Sequence, residues 1–297
     1  MRALVTGSTG FVGTHLMRRL AQPIAVGRSL EKIRQRLGGV DARLWDTERP
    51  VESSLLAGVD TVFHLAGESV FNGRWNAAKK EKIRASRVDS TRRLVDGIAS
   101  CVQPPKTLIC SSAIGFYGDR GAEELTEASA PGHDFLAGVC EAWEREALRA
   151  QDFGVRVVCI RTGVIIGKGG GALAQMLPLF RMGLGGRLGN GCQYMSWIHI
   201  DDLVGIMLCA AEQDGLSGPV NGVAPGPVTN REFTGILAQV LHRPALFPVP
   251  GFVLRLVLGE FATVLLASQR VVPDKISQTA GYRFVFPALQ EALEDLL

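Results

Sequence analysis

Residues Leu4–Gly13 read LVTGSTGFVG, and no other stretch limits the possible folds of this chain as tightly. Short apolar residues run into Thr6, glycines follow at Gly7, Gly10 and Gly13, and an amphipathic run continues from Phe11 to Leu20. The pattern predicts a strand, a tight turn and a helix. In such a turn the first glycine permits the reversal, the second lets a pyrophosphate approach the backbone, and the third lets helix and strand pack closely. The free amides of the helix N-terminus then face an anion. A dinucleotide site at Gly7, Thr9, Gly10, Phe11, Val12 and Gly13 is the consequence. Glycine triplets also serve ordinary turns; here the flanking strand and helix supply the context.

At 297 residues and 46% apolar content, the chain can bury one large domain or a large and a small one. Strand-like runs at Pro23–Val26, Ala42–Asp46, Asp60–Leu65, Lys106–Ser112 and Val155–Thr162 alternate with helical periodicity. The expectation is an α/β fold, a doubly wound parallel sheet of Rossmann type. The second strand ends in Gly27-Arg28-Ser29. Unphosphorylated NAD calls for an acidic residue about 20 positions beyond the glycine turn, whereas an arginine meets a 2′-phosphate. Arg28 therefore predicts NADP over NAD, the alternative being a solvated arginine at a strand end. The fourth strand closes on Leu65-Ala66-Gly67-Glu68, where a small Ala-Gly pair lets a ligand lie against backbone. His64 lies inside that apolar run and reads as a core or near-site histidine without a metal role.

A net charge of +3, with no arginine-rich tail, argues against nucleic acid as a partner. Six cysteines without C-x-x-C spacing point to a reducing compartment and no structural metal. The first strand begins at Arg2 or Ala3, leaving no room for a signal peptide. Arg255 and Glu260 interrupt the most apolar late segment, short of the roughly 18 uncharged residues of a membrane span. The expectation is a soluble, cytoplasmic protein.

The T-G-x-T-G-F-x-G spacing resembles the extended short-chain dehydrogenase/reductase superfamily, which holds the sugar-nucleotide epimerases and dehydratases. That resemblance implies that Leu65–Glu68 lines the cofactor between adenine and nicotinamide; Arg161-Thr162-Gly163, at another carboxyl strand end, reads by its position as a nicotinamide-side contact. Within a long basic helix expected from Ala77 to Ser100, Ser86–Thr91 resembles the N-V-x-G-T segment, with Arg87 at the asparagine. Arg87 and Lys82 are thus candidates for a cofactor phosphate, a solvated face being the alternative. Cys110-Ser111-Ser112-Ala113, leading to Phe116-Tyr117-Gly118, resembles S-S-x-x-x-Y-G. By that resemblance Ser112 orients the substrate, although one extra residue separates it from Tyr117. Ser111 is the other choice, and a serine capping a loop is the plain reading.

The superfamily's chemistry rests on Y-x-x-x-K, a tyrosine and lysine one helical turn apart. The three tyrosines here, Tyr117, Tyr194 and Tyr282, are followed four residues on by Gly121, Ile198 and Phe286. The dyad is absent. On the helix expected at Phe135–Arg149, Leu136 and Cys140 or their neighbours stand where it belongs. Tyr117 is left as a candidate acid, with Glu68 a substitute proton carrier if burial raises its pKa. The segments Arg74-Trp75, Trp143-Glu144, Arg161–Val164, Trp197–Asp202 and Ser268–Pro273 resemble a divergent branch of epimerase-family proteins, in bacteria often labelled putative cell-division inhibitors. Nothing in the sequence supports that label.

Glycines crowd Gly183–Gly191, compatible with a phosphate cradle, a substrate-covering loop or plain turns. Gln193–His199 reads as a strand, and Asp201-Asp202 caps the helix after it, Asp202 being structural. The cofactor domain is drawn at 1–165 with 196–226, and a smaller substrate or cap domain at 166–195 with 227–297. The reading is an NADP-dependent epimerase or reductase acting on a small polar carbonyl or hydroxyl. Its alternatives are an NADPH sensor without chemistry and an interaction scaffold.

Overall fold

Seven parallel strands form one sheet: β1 (Ala3–Thr6), β2 (Ile24–Gly27), β3 (Asp41–Leu44), β4 (Thr61–His64), β5 (Thr107–Ala113), β6 (Arg156–Thr162) and β7 (Gly218–Gly222). The computed structural model describes residues 1–71 and 74–297. The sheet order is β7-β6-β5-β4-β1-β2-β3, so strand order reverses at β1, which pairs with both β2 and β4. Ligands in open α/β sheets bind outside the carboxyl ends of the strands at such a reversal. Because every pair is parallel, the ends at Thr6, Gly27, His64, Ala113 and Thr162 share one edge.

Both faces of the sheet are covered, as the unbroken apolar runs of its strands require. Val5, Phe63, Ile109 and Ile160 pack with Leu16 and Met17 of helix Phe11–Arg19 and with Ile206 and Met207 of helix Ile200–Glu212. Leu4, Val62, Leu108 and Val157 pack with Leu94 and Val95 of helix Val88–Ala99 and with Trp143 and Ala147 of helix Phe135–Leu148. The first cluster continues into Phe233 and Leu237 of helix Asn230–Val240 and into Leu289, Ala292 and Leu293 of the last helix.

Two expected elements are divided. The long basic helix stops at Ala85 and restarts at Val88, with Ser86 and Arg87 forming a turn between the two helices. The strand expected at Gln193–His199 becomes Tyr194–Met195, paired with Val228–Thr229, and Trp197–His199, paired with Val164–Gly167. Between them Ser196 turns its hydroxyl to the carbonyl oxygens of Gln269 and Val271. The glycine-crowded loop is a packed turn: a Cβ on Gly186 would lie 1.8 Å from the Phe247 carbonyl oxygen, and Arg187 and Gly189 exchange backbone hydrogen bonds with Val249. Asp202 is buried and accepts from the Val285 and Phe286 amides and the Tyr282 hydroxyl, tying the carboxyl-terminal segment to helix Ile200–Glu212.

His64 links β4 to its neighbours. Its Nδ1 lies 2.8 Å from Thr6 Oγ1, and Ser90 Oγ approaches Nε2 at 3.5 Å. Full burial lowers its pKa to about 4, so the folded chain holds a neutral imidazole. The unfolded chain takes up a proton near the ordinary value of about 6.5, before the folded chain does. Stability is therefore fully present above that value and falls as pH drops toward 4, by about 3 kcal/mol in all. Urea denaturation at pH 7 and pH 5 is expected to record the loss, and His64→Gln to flatten that pH dependence.

Candidate cofactor and active site

The glycine turn is sterically exacting. Gly7 has φ of +67°, and a Cβ there would lie 2.6 Å from the Leu65 carbonyl oxygen; a Cβ on Gly13 would lie 2.3 Å from the Gly7 carbonyl oxygen. Gly13→Ala is therefore expected to destabilise by about 1–3 kcal/mol through overpacking. A thermal melt followed by circular dichroism measures it, and an unchanged midpoint would contradict the geometry. Helix Phe11–Arg19 begins at Gly10 with no side-chain cap, which leaves its first-turn amides without intrahelical acceptors. The Ser8 hydroxyl, 1% exposed, has no hydrogen-bond partner among the described residues. Uncapped amides and an orphaned hydroxyl in one turn fit a bound diphosphate. The Phe11 ring faces another way, packing where a Cβ on Gly170 would lie 2.1 Å from it.

Cations gather at the neighbouring strand ends. Arg28 and Ser29 are exposed beyond β2, with Ser29 capping helix Leu30–Leu37 by accepting from the Lys32 amide. From that helix Arg36 reaches back and donates to the Thr9 carbonyl oxygen at 2.5 Å. Lys79 Nζ donates to Glu68 Oε1 at 2.8 Å, and this bond, with the charges of Lys79, Arg28 and Lys82, holds the Glu68 carboxyl below its ordinary range. That overturns Glu68 as a proton carrier, since near neutral pH it stays ionised. Arg87 Nη1 donates to the carbonyl oxygens of Glu68 and Ile83, and its guanidinium lies 5.4 Å from the Trp143 ring centre.

Neither serine–tyrosine candidate presents its hydroxyl to a ligand. Ser112 pairs with Arg161 in register and is buried; its Oγ donates to Glu144 Oε1 at 2.6 Å. Arg161 donates to both Glu144 oxygens, at 2.9 and 2.8 Å, and to the Tyr117 hydroxyl at 3.0 Å. Tyr117, fully buried, donates in turn to Asn221 Oδ1 at 2.7 Å. Burial raises the Tyr117 pKa, which opposes ionisation further. The assignments of Ser112 as orienting group and Tyr117 as acid are corrected accordingly: both belong to a closed polar network across the ends of β5, β6 and β7. Ser111, on the opposite face of β5 by strand alternation, is half-buried, as is Thr162 at the end of β6. On helix Phe135–Leu148, Leu136 lies against Gly115, and burial drives the Cys140 thiol to a pKa of about 12. Two surface hollows of about 350 and 390 Å³ lie elsewhere, one lined by Glu127, Pro219 and Lys275, the other by Arg187, Arg231 and Thr234.

The model of the NAD dependent epimerase/dehydratase family matches residues 3–221, nearly three-quarters of the chain and all of the seven-stranded sheet but its last residue. The chain belongs to this family. A model of a domain of unknown function, DUF1731, matches residues 249–296. The mouse epimerase family protein SDR39U1 is 40% identical, with all of both chains covered. Its chloroplastic homologue in Arabidopsis thaliana is 39% identical over all of this chain and 87% of that protein. The crystal structure of human SDR39U1 with NADPH superimposes with a TM-score of 0.89 at 35% identity, covering 100% of this chain and 99% of that one. Among the described residues no helix is long and apolar enough to cross a membrane.

Sequence reasoning missed Ser8, Arg36 and Lys79. Ser8 stood inside the glycine motif without a signal of its own. Arg36 and Lys79 reach the edge from helices whose orientation the sequence does not contain.

Proposed function

We propose that this protein binds NADP(H) across the β1 edge and transfers a hydride to or from a bound substrate. The orphaned Ser8 hydroxyl, beside uncapped amides, carries this reading. In it Gly7–Gly13 hold the diphosphate, Arg28, Ser29, Lys82 and Arg36 surround the 2′-phosphate, and Leu65–Glu68, Arg87, Ser111 and Thr162 line the nicotinamide half. The NADPH in the human relative's structure supports the cofactor choice. A bound dihydronicotinamide supplies the hydride, and the chain's own residues orient it and shield it from water. The parts at 166–195 and 227–297 serve as the cover over that half. Six unpaired cysteines fit a reducing cytoplasm.

The test is a side-by-side titration with NADPH and NADH, following nucleotide fluorescence. NADPH is expected to bind at least about tenfold more tightly, the worth of one charge-assisted hydrogen bond. Equal affinity would remove the 2′-phosphate assignment, and no binding of either would remove the cofactor. A second reading, an NADPH sensor without turnover, draws on the engagement of Ser112 and Tyr117 in the buried network. NADPH oxidation by any acceptor would end it.

A further inference from the structure

Large apolar side chains left in water are concentrated in two short stretches of this chain. Among the described residues fifteen stand exposed, and eight of them fall within residues 179–184 and 246–257. Hydrogen bonds join the two stretches: the Phe247 amide donates to the Gly185 carbonyl oxygen at 3.4 Å, the Val249 amide to that of Arg187 at 2.9 Å, and the Arg243 guanidinium to that of Arg181 at 3.2 Å. Helix Gly251–Leu258, GFVLRLVL, follows at once. Leu254 is its buried residue, whereas Phe252 and Leu256, one turn apart, are 71% and 73% exposed. The end of the helix is tied down, since Arg74 donates to the Leu256 and Val257 carbonyl oxygens and Glu260 beyond it pairs with Lys80. Apolar surface gathered in this way marks a docking face.

The charge around these side chains has one sign. Residues 166–195 and 227–258 carry Lys168, Arg181, Arg187, Arg231, Arg243 and Arg255 against the single carboxylate of Glu232, a formal charge of +5 where the whole chain has +3. Glu232 is itself engaged by the Thr229 amide and hydroxyl. None of the six cations forms an ion pair among the described residues. Unpaired cations stand elsewhere too, Arg28 and Lys82 among them; these six are set apart by the apolar side chains they accompany. Arg187 and Arg231 also line the hollow of about 390 Å³, together with Leu246, which is 74% exposed, and Thr234, whose hydroxyl has no hydrogen-bond partner.

A partner for this face has to accept apolar side chains and supply negative charge. A second copy of the chain would set two faces of the same sign against each other. Nucleic acid would meet the arginines and leave Phe252, Leu256 and Leu246 in water. A membrane surface with anionic headgroups meets both demands, its acyl boundary taking the apolar side chains and its phosphates the cations. Eight residues rise about 12 Å, far short of a bilayer, so helix Gly251–Leu258 lies along such an interface and does not cross it. We propose that residues 179–187 and 243–257 form a face that rests on an anionic lipid surface, with a lipid phosphate seated between Arg187 and Arg231. The proposal goes beyond the NADP(H) reading and does not depend on it.

The experiment sediments the full chain, without nucleotide, with vesicles of phosphatidylcholine and with vesicles containing about one-third phosphatidylserine. The mixed vesicles are expected to bind it at least about tenfold more tightly, and less so as salt rises from about 50 to about 500 mM. Phe252→Ser combined with Leu256→Ser should weaken that binding about 100-fold, since two inserted side chains are lost. Both side chains are exposed, so the thermal midpoint of this variant should match wild type. Arg187→Ala and Arg231→Ala should each cost about fivefold, and Arg18→Ala, which removes an exposed cation outside both stretches, should cost nothing. Failure to bind the mixed vesicles would overturn the proposal, as would equal losses from Arg18→Ala and Arg231→Ala or undiminished binding by the double serine variant. A dimer in solution that the double serine variant dissolves would give the face to a second copy and overturn it equally.

Discussion

Glu144→Ala is expected to lower the free energy of unfolding by about 3–5 kcal/mol, the largest effect of any single change considered. Glu144 is 6% exposed and Arg161 3%, so neither has water to replace its partner. Removing the carboxylate leaves the Arg161 guanidinium between the Phe116 ring, 3.4 Å away, and the Tyr117 hydroxyl. It also leaves the Ser112 hydroxyl without an acceptor. A buried ion pair replaced as a whole by apolar residues is often neutral in stability, whereas one broken in half is not. The double variant Glu144→Met with Arg161→Met is therefore expected to recover a large part of the loss. Urea denaturation of Glu144→Ala and of the double variant measures this. A Glu144→Ala midpoint equal to wild type would mean that the network contributes nothing.

Arg28→Ala is expected to weaken NADPH binding about 10- to 100-fold and to leave NADH binding unchanged, since only NADPH carries the 2′-phosphate. Arg28 is exposed, so the change leaves the core untouched. Lys82→Ala should have a smaller effect in the same direction, because a flexible ammonium makes a less directional contact than a guanidinium. The readout is the ratio of the two dissociation constants from fluorescence titrations. A ratio that Arg28→Ala does not move would return Arg28 to an ordinary solvated side chain.

What the sequence determined is what consecutive residues encode. The Gly7, Gly10 and Gly13 spacing fixed the strand, turn and helix because each glycine answers a local backbone demand. Strand and helix periodicity then led to a doubly wound sheet, and the missing Y-x-x-x-K could be seen by inspection. Strand alternation hid the rest. Ser111 and Ser112 are adjacent in sequence yet face opposite sides of β5, and only the register with Arg161 on β6 shows which hydroxyl is enclosed. The network that encloses it joins Ser112 to Glu144 across 32 positions and Tyr117 to Asn221 across 104. Glu68 has the same history: whether it holds a proton depends on Lys79 and Arg28, which reach it from a helix and a neighbouring strand end. The sequence by itself determined the glycine turn at the end of β1, where we propose that a cofactor lies. Tertiary structure decided which polar groups are left to meet it, because hydrogen-bond partners far apart in the chain become neighbours only through packing.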